Sequence, residues 1–255
     1  MTLRTRLCAT WLMATLIVGS SLAACAPRSD SQKPRLTMFV AVDTSGSFGS
    51  SGYYDDSLTF LAHYLYGHLN GLGGLAVPRE LFVGSIGGQS ADEPKAFHPI
   101  HDFSGKTVEQ IEADLRTWFP PTDTLTDYNA FFRQVARISK ERNLVLAPIS
   151  LVVISDGIPD ANGQKGQAAY TTLDLSSLDY LTRNLTLRLA YASPKVGDYW
   201  RKLVPRQRVR MWTVEAEVMK GWKDQMAPDA DLAEQERLWK WVRDNVDYRV
   251  RSTSA

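Results

Sequence analysis

Cysteine is almost absent from this chain. Of 255 residues only Cys8 and Cys25 are cysteines. No thiol follows Cys25, so no disulfide can staple the body and its stability must come from packing. Histidine is scarce too, at four residues, which leaves few candidates for a nitrogen-rich metal centre or a general base. Neither sign of charge dominates, since 29 Lys and Arg face 28 Asp and Glu. The chain therefore carries no electrostatic footprint for nucleic acid. It has no Gly-rich phosphate loop. No second long apolar run follows the first one, so nothing further along reads as a membrane span.

What is present begins with a leader. Arg4 and Arg6 precede an apolar run, Ala9 to Val18, and then small residues ending in Leu22-Ala23-Ala24-Cys25. A basic segment, a short apolar stretch and a small-residue cleavage site make a secretory signal, too short for a comfortable span. Leu-Ala-Ala-Cys resembles the bacterial lipobox. That resemblance implies removal of residues 1–24 and a lipid on Cys25, which becomes the first mature residue. Ala26 stands where an aspartate would retain such a protein at the inner membrane, so the resemblance implies the outer membrane, with the body facing the periplasm. Residues 25–35 are rich in Ser, Pro, Arg and Lys and read as a tether. Removing Arg4 and Arg6 takes the 29 basic residues to 27, against 28 acidic ones. The remaining body, 36–255, is long enough for one ample core.

Along that body, apolar runs alternate with helical patterns. Leu36–Val42, Glu80–Ile86, Ile149–Ile154, Leu185–Ala192 and Val209–Val214 read as strands, and Phe97–Phe103 as an edge strand. Tyr53–Asn70 carries Leu58, Leu61, Ala62, Leu65 and Leu69 at helical spacing and stops at Gly71. Thr107–Phe119, halted by Pro120-Pro121, is an amphipathic helix, as is Tyr128 to about Asn143. Asp198–Val204 reads as a short helix. Leu232 to about Val250 closes the chain as a helix whose Trp239, Trp241 and Val242 pack inward. A long loop with Gly, Gln and Asn separates Gly157 from Leu178. The alternation gives an α/β fold: a doubly wound, mostly parallel six-stranded sheet with helices on both faces.

Two of the strands end in acids. Val42 leads into Asp43-Thr44-Ser45-Gly46-Ser47, and Ile154 into Ser155-Asp156-Gly157. Ligands of open α/β sheets bind at the carboxyl edge of the strands. Asp43, Ser45 and Ser47 fall at i, i+2 and i+4, and Gly46 lets the backbone turn so that they converge. Such hard oxygen groups suit Mg²⁺. A third polar loop, from Thr122 to Asp127, precedes the helix at Tyr128, where a hydroxyl serves either as an N-cap or as a ligand. Taken singly, each loop reads equally well as a helix cap. His63 and His68, five apart, read as solvated or core-edge residues. His98 and His101 have no third nitrogen or sulfur ligand near them, which argues against zinc.

Taken together, Val42-Asp43-Thr44-Ser45-Gly46-Ser47 and Val152-Val153-Ile154-Ser155-Asp156-Gly157 resemble the von Willebrand factor type A domain with its metal-ion-dependent adhesion site. The match follows the order of elements over nearly the whole mature chain. It implies a Rossmann-like fold and a divalent cation, Mg²⁺ with Mn²⁺ or Ca²⁺ as alternatives, bound directly by Ser45 and Ser47. Asp43 and Asp156 are then expected to act through water or by orienting the serines. The family's threonine maps better onto Thr126 than onto Thr124, because Thr126-Asp127-Tyr128-Asn129-Ala130 fits the family's run from threonine to alanine. Leu125 stands where the family often has glycine. The expected function is protein binding from the cell envelope, with an Asp or Glu of the partner completing the cation's shell, and not catalysis. One alternative is a metal-free scaffold of the same fold. Another, weaker, is a metal-assisted hydrolase using Asp43 and Asp156, but no His, Lys or Cys stands in these loops as a base. Ser45 breaks the Asp-Thr-Gly signature of aspartic proteases, whose fold is all-β.

Overall fold

The run of elements is β1 (Leu36–Val42), α1 (Gly46–Gly49), α2 (Tyr54–Leu69), β2 (Pro78–Ser85), β3 (Gly87–Gly88), β4 (Phe97–Pro99), α3 (Val108–Trp118), β5 (Leu125–Thr126), α4 (Tyr128–Glu141), β6 (Ile149–Ile154), α5 (Gln167–Thr171), α6 (Ser176–Asp179), β7 (Leu185–Ala192), α7 (Pro194–Leu203), β8 (Arg210–Glu215), α8 (Ala216–Met219) and α9 (Glu236–Trp241). The computed structural model describes residues 35–160, 163–181 and 184–249. The expected signal, the lipidation of Cys25 and the tether as far as residue 34 lie outside the described residues.

Six strands form one sheet in the order β4-β2-β1-β6-β7-β8. All neighbours are parallel except the short edge strand β4, which runs antiparallel to β2. The centre of the sheet falls where the sequence is most apolar: every residue of β6, and all of β1 after Leu36, is buried. Side chains alternate along β1. Met38, Val40 and Val42 enter a core with α2, α3 and the C-terminal segment. Phe39 and Ala41 enter a second core with Phe131, Phe132 and Val135 of α4 and Trp200 of α7. Helices thus cover both faces, as a doubly wound sheet requires. Each large side chain fully removed from water contributes about 1.5–3 kcal/mol, and with no disulfide these two cores hold the fold. Among the described residues no helix is long and apolar enough to cross a membrane.

Strand order reverses at β1. The chain leaves β1 for β2 on one side and later returns to β6 on the other. The register pairs Val42 with Ile154, so Asp43 and Ser155 emerge side by side at the carboxyl edge. A sheet of this kind opens a crevice at that switch point.

Several boundaries differ from the sequence reading. Only Phe97–Pro99 of the expected edge strand pairs with β2; Ile100–Asp102 is a 3-10 turn, and His98 lies flat on Trp118 at 3.8 Å. The short helix expected from Asp198 starts at Pro194, with Ser193 as its N-cap. The closing helix is broken. Leu232–Glu234 is a 3-10 turn, α9 covers only Glu236–Trp241, and Val242–Val246 is a π turn. Gln235 causes the break: its side-chain amide donates to the Ala227 and Ala230 carbonyls and accepts from the Ala227 N–H at 2.7 Å, holding the preceding loop. The long loop after Gly157 contains the short helices α5 and α6. His68 is a core-edge residue, with Nδ1 2.8 Å from the Ala76 carbonyl and Nε2 2.9 Å from Asp247; His63 sits over Trp222.

Candidate metal centre at the switch point

Asp43 leaves β1 still paired to β6, its N–H donating to the Ile154 carbonyl at 3.0 Å. Its side chain is fully buried. Oδ1 accepts the Ser45 N–H at 3.0 Å, and Oδ2 accepts the Ser155 hydroxyl at 2.5 Å. The Ser45 N–H contact is an Asx-type turn, and it aims the next two residues upward. Ser45 then caps α1, its Oγ accepting the Phe48 N–H at 3.4 Å, and stands 3.1 Å from the Ser47 Oγ. Ser45 is buried and Ser47 exposed, so the pair runs from the interior to the surface.

The two candidate threonines separate. Thr124 donates weakly to the Gly88 carbonyl, at 3.4 Å. Thr126 is buried, pairs through its backbone with Gly87 of β3, and its hydroxyl lies near enough to Asp43 to favour the ionised carboxylate. The N-cap of α4 is Asp127, whose Oδ1 accepts the Ala130 N–H at 2.9 Å. That leaves the Thr126 hydroxyl for the crevice. The backbone at Gly87 comes so close to Thr44 and Asp123 that a Cβ there would overlap the Thr44 hydroxyl and the Asp123 carboxylate.

Asp156 completes the ring. Its Oδ1 accepts the Ile158 N–H at 2.9 Å. Burial, and then the nearby charge of Asp43, push its pKa up to about 6. Asp43 is also raised, by burial against the opposing hydrogen bonds of Ser155, Ser45 and Thr126. Among the described residues no basic side chain contributes to either shift, so the two carboxylates face one crevice with no cation from those residues. That is the electrostatic demand a divalent ion satisfies, and hydroxyls with carboxylates are the donors it takes. Asp43, Ser45, Ser47, Thr126 and Asp156 thus come together at one edge. Among the described residues, no three His, Cys, Asp or Glu side chains converge on a metal position, here or elsewhere, so the donors at this edge are mostly hydroxyls.

Three supporting residues carried no site role in the sequence reading. Ser155 donates to Asp43, accepts from the Gly157 N–H at 2.9 Å, and lies 2.7 Å from the Tyr128 hydroxyl. Tyr128 opens α4, so it ties that helix to the crevice. Asp123 clips the first loop: its backbone pairs with Thr44 and Gly46, and its Oδ2 accepts the Thr44 hydroxyl at 2.5 Å. Ser155 adjoins Asp156, Tyr128 follows Thr126 by two residues, and Asp123 precedes the alternative candidate Thr124, so proximity in sequence to the predicted ligands is a usable signal for all three.

No family model matches the chain. No curated protein matches it either. Among solved structures, proximal thread matrix protein 1 from the mussel byssus aligns with 82% of this chain and 47% of its own, at 14% identity and a TM-score of 0.47. The pilus adhesin SpaC of Lactobacillus rhamnosus GG aligns with 76% of this chain and 30% of its own, at 12% identity and a TM-score of 0.47. The manganese-loaded TRAP protein of Plasmodium vivax aligns over 72% and 70%, at 15% identity and a TM-score of 0.43. The chain spans less than half the length of the first two.

Proposed function

We propose that the switch-point crevice holds a divalent cation, Mg²⁺ or else Mn²⁺ or Ca²⁺, and that the domain uses it to bind a partner protein through an Asp or Glu. The observation that carries this reading is the paired Ser45 and Ser47 hydroxyls, 3.1 Å apart, beside two carboxylates whose shifts no basic side chain among the described residues opposes. Ser45, Ser47 and Thr126 would hold the ion; Asp43 and Asp156 would supply charge and fix the hydroxyls, as outer partners do at other metal sites. A bound ion supplies a coordination position that a partner carboxylate completes. Ser47 and Ile158, both exposed, would form part of the surrounding contact surface. The crevice offers no histidine, lysine or cysteine as a base, which favours binding over catalysis.

In the same reading the chain is an envelope lipoprotein, anchored by lipid on Cys25 and probing the periplasm from the outer membrane. Its support is the Leu22-Ala23-Ala24-Cys25 sequence followed by Ala26. A cation-free scaffold is the competing reading, favoured by the cap that Ser45 already provides to α1.

Titration calorimetry with MgCl₂ and MnCl₂ separates the two. Saturable binding to the wild type and its loss in the Ser45→Ala/Ser47→Ala variant support the cation reading. Absence of binding to the wild type leaves the scaffold. A partner recovered equally in Mg²⁺ and in EDTA overturns the bridging role.

A further inference from the structure

The opposite edge of the sheet carries a second feature, and the switch-point chemistry does not involve it. A cavity of about 950 Å³ opens at the amino ends of the parallel strands, between the sheet and the C-terminal segment. Leu36 of β1, Ser150 of β6 and Thr186 of β7 form its floor. Four arginines line it: Arg188, Arg210, Arg243 and Arg249. Among the described residues, the one carboxylate in its wall is Asp247.

That carboxylate is already committed. Tyr64 donates to its Oδ1 at 2.7 Å, His68 Nε2 lies 2.9 Å from its Oδ2, and Arg188 Nε is 3.7 Å away. Burial opposes the ionisation of Asp247, yet His68, Arg188 and Tyr64 together hold its pKa below the usual carboxylate range. Arg188 is almost wholly buried and rigidly placed, with Nε donating to the Val246 carbonyl at 2.9 Å and one terminal nitrogen to the Ser150 hydroxyl at 3.1 Å. Arg243 and Arg249 make no ion pair among the described residues. Asp247 is taken up by Arg188, His68 and Tyr64, so it does not balance Arg243 and Arg249 at the rim. Guanidinium forks match the paired oxygens of phosphate and related oxyanions, and a concave wall raises the local anion concentration.

We propose that this cavity is a binding site for a phosphate group, carried on an organic molecule large enough to use the remaining space. Arg188, its nitrogens held by the Ser150 hydroxyl and the Val246, Thr186 and Tyr248 carbonyls, supplies fixed positive charge at the floor; Arg243 and Arg249 close over the anion from the rim, and Ser150 and Thr186 offer neutral hydrogen bonds. A soluble phosphate compound and a phospholipid headgroup share this chemistry. The site stands independently of the cation reading, because it uses other residues at the other end of the strands.

The test uses the full chain. Inorganic phosphate and pyrophosphate are titrated by calorimetry into the wild type and into Arg243→Gln/Arg249→Gln, whose exposed side chains leave both cores intact. Sedimentation with phosphatidylcholine vesicles, with and without phosphatidylglycerol, forms the second arm. The expected result is saturable pyrophosphate binding, weakened at least about tenfold in the variant, with an unchanged thermal midpoint and an unchanged Mg²⁺ titration. Binding of the phosphates without a gain on phosphatidylglycerol assigns a soluble ligand. A phosphatidylglycerol gain that disappears in the variant assigns a headgroup, and both results sustain the site. No saturable binding in either arm, or binding equal in wild type and variant, overturns it.

Discussion

Asp156 is the residue whose removal separates stability from binding. Its pKa stands at about 6 against an ordinary 3.8, through burial and the charge of Asp43. A rise of that size disfavours the ionised form by about 3 kcal/mol at neutral pH. Asp156→Asn removes the charge and keeps an oxygen for the Ile158 N–H. In EDTA at pH 7.5 the variant is expected to be more stable than wild type by about 1–3 kcal/mol, the lower values reflecting water reaching the half-buried group. Mg²⁺ should reverse the order. At a free concentration about a hundred times its Kd, the ion stabilises the wild type by about 2.7 kcal/mol, and the variant should lose most of that gain. Urea denaturation in EDTA and in MgCl₂ measures all four values. A variant less stable than wild type in EDTA would show that Asp156 is not held against its preference. A variant with the full Mg²⁺ response would remove Asp156 from the site. Either result refutes the reasoning.

Other outcomes follow from the same geometry. Because Asp43 and Asp156 both ionise at higher pH when folded than when unfolded, each contribution to stability in EDTA should fall as pH rises, that of Asp156 from about 4 through about 6; comparing the pH profiles of wild type and Asp156→Asn isolates the second group, and parallel profiles would contradict it. Cation affinity should weaken below about pH 6, as read by calorimetry at pH 5 and 7.5. Gly87→Ala forces a Cβ against Thr44 and Asp123 and should cost about 1–3 kcal/mol, with weaker cation binding because Thr126 pairs with Gly87; thermal melts and calorimetry check both. Asp247→Ala strands buried Arg188 and should cost about 3–5 kcal/mol. The ionised Asp247 is the favoured form in the fold, so its share of stability is present above the usual carboxylate pKa and lost as pH falls below it, opposite in sense to Asp156.

Much of the sheet was legible because β1 and β6 are buried on both faces, and an uninterrupted apolar run followed by an acid marks a strand end without help from the rest of the chain. Asp43, Ser45 and Ser47 lie close in sequence, and the family pattern named Thr126 and Asp156 with them. What sequence could not show was decided by long-range backbone contact. Gly87–Gly88 has little strand propensity and Leu125–Thr126 is only two residues long, yet they pair, and that pairing brings Thr126 to Asp43. Asp123 clips the first loop through its backbone, which leaves no trace in composition. The closing helix failed for a different reason. Its apolar spacing is helical throughout, but Gln235 spends its amide on residues 227 and 230, a tertiary commitment stronger than local propensity. The early start of α7 was readable, since Ser193-Pro194 is a cap followed by the residue best suited to a first turn.

The placement of β1 has a mechanical consequence. Arg35 enters at one end of this strand and the Asp43 loop leaves at the other, while β2 and β6 flank it in parallel along its length. A pull between the chain ahead of Arg35 and anything gripped at Ser45 would run along the strand axis. Every rung of both ladders would then be loaded in shear at once, the direction in which a sheet resists tearing best, whereas a load across the strand would open the rungs one by one like a zip.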